Sequence, residues 1–171
     1  MILKIIFLIT VLLICLYTDI RSRKILNIVT IPTIVFSMVI NVLGGGIEGL
    51  LYSGKGFFVG TGLLLIPYLL GGLGAGDVKL MAAIGALMGA NFVFYSFIYT
   101  ALIGGAIAIA LIVKERGFWY PLKNLLFNLT FLRGNLGSMI ITSDKKTSSI
   151  SFPYGVAIVL GTFCTLIWGG F

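Results

Sequence analysis

Histidine is absent from this 171-residue chain, charged residues make up only 10%, and five acids stand against twelve bases. Without histidine, no Ser-His or Cys-His nucleophile system can be built within the chain, and no imidazole metal site either. The two cysteines, Cys15 and Cys164, lie far apart inside apolar runs and form no CxxC pair, so neither a zinc site nor a disulfide framework is indicated. The scarcity of charge excludes a water-soluble globule, since an ordinary soluble domain carries roughly 25% charged residues. What is present instead is 59% hydrophobic residues and a mean hydropathy of +1.15. The class is a polytopic membrane protein, all-α, with the lipid bilayer as its first partner. The net charge of +7 marks cytoplasmic loops and anionic headgroups, and no nucleic-acid partner is expected. No extramembrane stretch is long enough to fold separately, so residues 1–171 are expected to form a single membrane domain.

Six apolar segments follow one another. The first spans Ile5 to Tyr17; Lys4 precedes it, but no small-residue cleavage site follows, so it reads as a retained helix. A polar block, Thr18-Asp19-Ile20-Arg21-Ser22-Arg23-Lys24, separates it from a second span over about Ile25 to Leu43 that contains Pro32. Gly44-Gly45-Gly46 should end that helix, with Glu48 and Lys55 in a connection before a third span, Phe57 to about Leu70. A glycine-rich turn from Gly71 to Gly76 leads into a fourth span, Val78 to about Ala90, and a turn at Asn91 into a fifth that ends near Val113. Between the fifth and sixth spans, Leu122, Leu125, Leu126, Leu129 and Leu132 recur at helical spacing behind Trp119 and Tyr120, the pattern of an amphipathic helix lying in the interface. The sixth span runs from Phe152 to Trp168.

With six spans and both ends outside, the inner connections hold ten of the twelve Lys and Arg residues; only Lys4 and Lys55 fall outside. That bias orients the bundle. It also puts Asp19 and Asp77 at the cytoplasmic face.

These two acids differ from the other three. Glu48, Glu115 and Asp144 sit in connections, whereas Asp19 and Asp77 sit at helix ends within the hydrophobic fabric, where an ionisable group is expensive. Each has a structural alternative. Asp77 follows a glycine turn and could cap the fourth helix. Asp19 could pair with Arg21, Arg23 or Lys24, an interaction worth little at an exposed site. Neither alternative explains why both acids meet on one side. Two neighbouring carboxyls share a proton, and such a pair can activate water while its protonated member protonates a leaving group. The pair needs no cofactor and no metal. Gly74 and Gly76 would let backbone approach closely, and Lys79 would favour an ionised acid or steady a substrate, unless it only snorkels to the headgroups. Gly74, Gly76 and Lys79 are therefore the candidate substrate contacts. Ala82, Gly85, Ala86 and Gly89 form a small face suited to tight packing of the fourth helix.

Gly74-Ala75-Gly76-Asp77-Val78-Lys79-Leu80 resembles the GxGD-x-K-L signature of the type IV prepilin peptidases, a group of intramembrane aspartyl proteases. Asp19-Ile20-Arg21 through Ile25-Leu26-Asn27 resembles their first aspartate motif, with Leu26 where proline is usual. Pro153-Tyr154-Gly155-Val156-Ala157 is similar to the segment that opens the family's last helix. The resemblance implies a six-span bundle in the cell membrane. It further implies that Asp19 and Asp77 are the catalytic pair, cleaving the short basic leader of a prepilin-like or preflagellin-like protein at the cytoplasmic face. Larger members carry a cysteine-rich insertion and also N-methylate the new terminus. This chain has no CxxC pair and no room for that insertion between its first two spans, so methyltransferase activity is not expected. The rival class is a small proton- or ion-coupled transporter using the same two acids, which an internal repeat would have favoured. No convincing repeat is present. The particular substrate and the oligomeric state are not encoded in any motif.

Overall fold

A computed structural model describes residues 2–23, 25–116 and 154–169. All elements among them are α-helices: α1 (Ile2–Ser22), α2 (Asn27–Leu69), α3 (Ala75–Met88), α4 (Ala90–Arg116) and α5 (Tyr154–Trp168). The chain packs as two units, Met1–Gly104 with Pro153–Phe171, and Gly105–Phe152. Of the second, residues 105–116 are described, as the continuing helix of α4. The expected interfacial helix around residues 122–132 lies outside the described residues. The packing described below is that of the first unit.

Among the described residues, three helices are long and apolar enough to cross a membrane: α1, α2 and residues Ala90–Leu111 of α4. A straight helix of the 43 residues of α2 would run about 65 Å, twice the roughly 30 Å of a hydrocarbon core. It does not run straight. Gly46 has φ 56° and ψ −131°, a conformation for which glycine is the natural residue. Beyond it the chain folds back, because Gly49 stands directly against the Asn41 backbone. The two arms, 27–45 and 47–69, are each close to the ~20 residues of one crossing. The reversal thus occurs at a single glycine, and the second arm starts about ten residues before the expected third span. Glu48 and Lys55 consequently lie on a helix, not in a connection.

The second arm then runs antiparallel to α3. Gly56 meets Gly85, Gly60 meets Met81 and Ala82, and the Tyr52 hydroxyl donates to the Met88 carbonyl. A Cβ on Gly56 or Gly85 would overlap the other's carbonyl, so this spacing exists only because both residues lack one. The expected small face is therefore used through Ala82, Gly85 and Ala86. Gly89 belongs to that face too, its Cα 3.0 Å from where a Cβ on Gly56 would stand, and with φ at 88° it also terminates α3, one residue before α4 begins. The turn expected at Asn91 is thus at Gly89.

α3 is the central helix, with every residue from 80 to 87 buried. Ser53 and Asn41, one from each arm of α2, both donate to the Ala86 carbonyl, at 2.7 and 3.1 Å. Buried polar groups of this kind need partners inside a membrane, and here helix carbonyls supply them. α1 and α5 pack on another side, with Leu8, Leu12, Ile158 and Val159 in the shared apolar core. Ser96 on α4 and Thr162 on α5 share a hydrogen bond of 2.8 Å. Outward, long apolar side chains such as Leu43, Phe58, Leu70 and Ile167 are exposed, as lipid-facing residues should be.

Chain direction gives the unit two unlike ends. At one, the Lys4 amine donates to Asn41 at 2.6 Å and sits over the Tyr52 ring. At the other lie the C-terminus of α1 and the N-termini of α2, α3 and α5.

Candidate active site

Asp77 is positioned by its own helix. Gly74, extended at φ −83° and ψ 150°, is the N-cap of α3. From the third helical position the Asp77 carboxylate reaches back to accept the Gly74 N–H at 3.0 Å, while its own N–H donates to the Gly74 carbonyl at 3.1 Å. This is one half of a capping box: it satisfies a free helix-end donor and sets a negative charge at the positive end of the helix dipole. The capping alternative is thus realised one turn deeper than a true N-cap, with glycine in the cap position.

Asp19 is positioned by a different helix altogether. It lies in the last turn of α1, where a negative charge opposes the helix dipole. Its carboxylate leaves that helix for the N-terminus of α5, where Oδ2 accepts the Val156 N–H at 3.2 Å. The unfavourable end of one helix is offset by the favourable end of another. Approach this close depends on Gly155, since a Cβ there would stand 2.6 Å from Oδ2 and 2.8 Å from Cγ of Asp19. Among the nearby basic residues, Arg21 donates instead to the Tyr17 hydroxyl at 2.7 Å.

The two acids come together. Both are buried, 4% and 8% exposed, in the last turn of α1 and the first turn of α3, which lie at the same end of the unit. At this end Ile25, before the start of α2, packs against the beginning of α3. A Cβ on Gly76 would stand 2.9 Å from Ile25 Cβ and 3.2 Å from its carbonyl, so Gly76 is a seat for Ile25. Leu26, the N-cap of α2, has φ −77°, close to what proline would impose, and its departure from the family motif therefore costs no change of backbone. Lys79 is half-buried and its amine donates to Asn27 at 2.9 Å. It shares the face of Ala75, Val78 and Ala82, which lines an apolar groove with Ile31, Phe57 and Tyr68, whereas Asp77 lies on the far side of α3. Lys79 thus ties α3 to α2 and does not point at the acids. Among the described residues, no three His, Cys, Asp or Glu side chains are grouped as a metal site would need.

Ile25, Asn27, Gly155 and Val156 were not among the sequence-derived site residues. The Tyr-Gly-Val opening of the last helix was the signal for two of them, but nothing local says which acid that turn receives.

A family model for the type IV leader peptidases matches residues 6–109, which contain both acids. The chain belongs to the type IV leader peptidase family. A curated relative, the prepilin leader peptidase/N-methyltransferase of Bacillus subtilis (strain 168), is 32% identical over 111 residues. That alignment takes in 63% of this chain and 44% of the relative, so the chain spans less than half of that protein's length. No solved structure matches.

Proposed function

We propose that this leader peptidase family member is an aspartyl endopeptidase, and that Asp19 and Asp77 are its water-activating pair. The observation that supports the reading is that two buried acids, on α1 and α3, lie at the same end of a membrane-type helical unit. In the reaction, one carboxylate takes a proton from water as its oxygen attacks the peptide carbonyl carbon. The other carboxyl protonates the leaving amine as the C–N bond breaks. The substrate is a prepilin-like or preflagellin-like protein with a basic leader, cut just before its hydrophobic helix. With six crossings in the cell membrane, counting the two arms of α2 separately, the acids would face the cytoplasm, in line with the ten-to-two distribution of Lys and Arg. The proposal is confined to the peptidase step, and family membership speaks against a transporter using the same acids.

The test is incubation of the purified full-length chain with a leader-bearing prepilin-like protein. A product shortened at the leader junction is expected from the native chain and from neither Asp19→Asn nor Asp77→Asn. Near-normal cleavage by either variant would overturn the assignment of the pair.

A further inference from the structure

Lys79 has surroundings that its tie to Asn27 does not explain. On the side of α3 away from Asp77, a groove of about 360 Å³ lies between the two arms of α2, with α3 as its floor. Ile31 and Ile34 line it from the first arm. Phe57, Leu65 and Tyr68 line it from the second, on the one face that residues three and four apart share. Thr61 belongs to the same stripe, but its hydroxyl donates to the Phe57 carbonyl at 2.8 Å, so its polarity is spent within the helix. From Phe57 to Tyr68 the stripe is about 16 Å long, close to half of the roughly 30 Å hydrocarbon core. That is the depth of one leaflet. The groove also has a cation at its acid end. Helical side chains lean toward the N-terminus of their own helix, so Lys79 leans toward the end where α2 and α3 begin, and its amine reaches Asn27, the first residue of α2. Asn27 is neutral, no Asp or Glu lines the groove, and an ammonium has three donors to place.

We propose that this groove binds an anionic glycerophospholipid, with one acyl chain against Ile31, Phe57 and Leu65 and the phosphate on Lys79. The charge chooses the occupant. A neutral chain would fill the slot but leave the half-buried ammonium without a counter-ion, and a zwitterionic headgroup would bring a second cation to the mouth. A headgroup of net negative charge completes the site. Arg21 and Arg23, both exposed at the same end of the unit, add to the attraction. The hydrophobic helix of a substrate does not fit. With its side chains a helix is about 10–12 Å across, and the groove is on the far side of α3 from the acids. Bound there, the lipid bridges both arms of α2 to the first turns of α3, the helix that carries Asp77. The site stands on the groove and its cation, whether or not the acids cleave a peptide.

The test reads the groove directly. Trp119→Phe and Trp168→Phe together remove both tryptophans of the full-length chain, so Leu65→Trp then puts a single fluorophore in the groove. Phe58→Trp, in the same background, puts one at a position of the second arm that is 75% exposed and outside the groove. Each protein is reconstituted in phosphatidylcholine bilayers. A small share of the lipid is replaced by phosphatidylglycerol with brominated chains, or by phosphatidylcholine with the same chains, whose bromines quench a tryptophan they touch. At position 65, brominated phosphatidylglycerol should be enriched about fivefold over its share, the worth of one Lys beside an anionic headgroup. Brominated phosphatidylcholine should quench in proportion to its share. Lys79→Gln should erase the difference at 65 while quenching by brominated phosphatidylcholine persists. At position 58 the two lipids should quench alike, and added inorganic phosphate should leave the preference at 65 in place. Ile31→Trp reads the opposite wall and covers the case in which Leu65→Trp does not fold. Equal quenching by both lipids at 31 and 65, the same preference at 58, or a preference that outlasts Lys79→Gln would overturn the proposal. So would its loss to inorganic phosphate, which would make Lys79 a phosphate site without a chain. Absence of quenching at 31 and 65 by either lipid would give the groove to a second copy of this chain and overturn it as well.

Discussion

Asp19 and Asp77 end up at the same place by opposite means. Asp77 is anchored three residues away, within the turn that begins its own helix. Asp19 is anchored 137 residues away in sequence, by a helix that meets α1 only after the bundle has assembled. A local anchor survives wherever the helix forms. A tertiary anchor exists only if α5 docks at the right height and rotation, so the geometry of the pair is as sensitive to packing as to the acids themselves.

The largest effects should come from removing the acids. Asp19→Asn and Asp77→Asn should each slow leader cleavage by about 10²–10⁴-fold, the usual worth of a general acid or base, measured by the rate of product appearance on gels. Similar losses at both would show that each is indispensable despite the unlike anchors; a mild loss at one would break the pairing. Gly76→Val comes next. Its side chain would enter the space of Ile25, so stability should fall by about 1–3 kcal/mol and activity with it, read from thermal unfolding in detergent alongside cleavage.

Gly74→Pro sharpens the contrast further. Proline suits the observed φ of −83° but removes the N–H that Asp77 accepts. Stability should drop by about 1 kcal/mol, a few degrees in Tm, with a several-fold loss of rate. If instead it matches Gly155→Ala, which crowds Asp19 and should lower the rate by about 10- to 100-fold, the distinction between local and tertiary anchoring is wrong. Lys79→Ala should matter least. It removes a half-buried hydrogen bond to Asn27 on the side of α3 away from the acids, so a loss of about 0.5–1 kcal/mol with cleavage within threefold is expected. A larger kinetic effect would show that Lys79 reaches the substrate.

Much of this was legible in the sequence. Apolar runs marked helices, and the glycines after Leu43 and before Asp77 marked where the chain would turn. Gly44-Gly45-Gly46 marks the reversal in α2, but composition cannot tell which of the three takes a positive φ. Only Gly46 does, and the helix continues on both sides. Gly85 was readable as a packing residue, but its partner Gly56 was not, since one small residue does not name the one it faces.

The sequence by itself determined that this is a helical membrane protein with two acids out of place in apolar surroundings. It also offered a cap role for Asp77, a local matter of one helical turn, although the structure puts Gly74 in the cap position and Asp77 three residues further on. Only the tertiary structure decided what holds Asp19. The Val156 N–H of an incoming helix and the gap left by Gly155 are properties of docking, and no spacing along the chain encodes which end of which helix will arrive beside an acid.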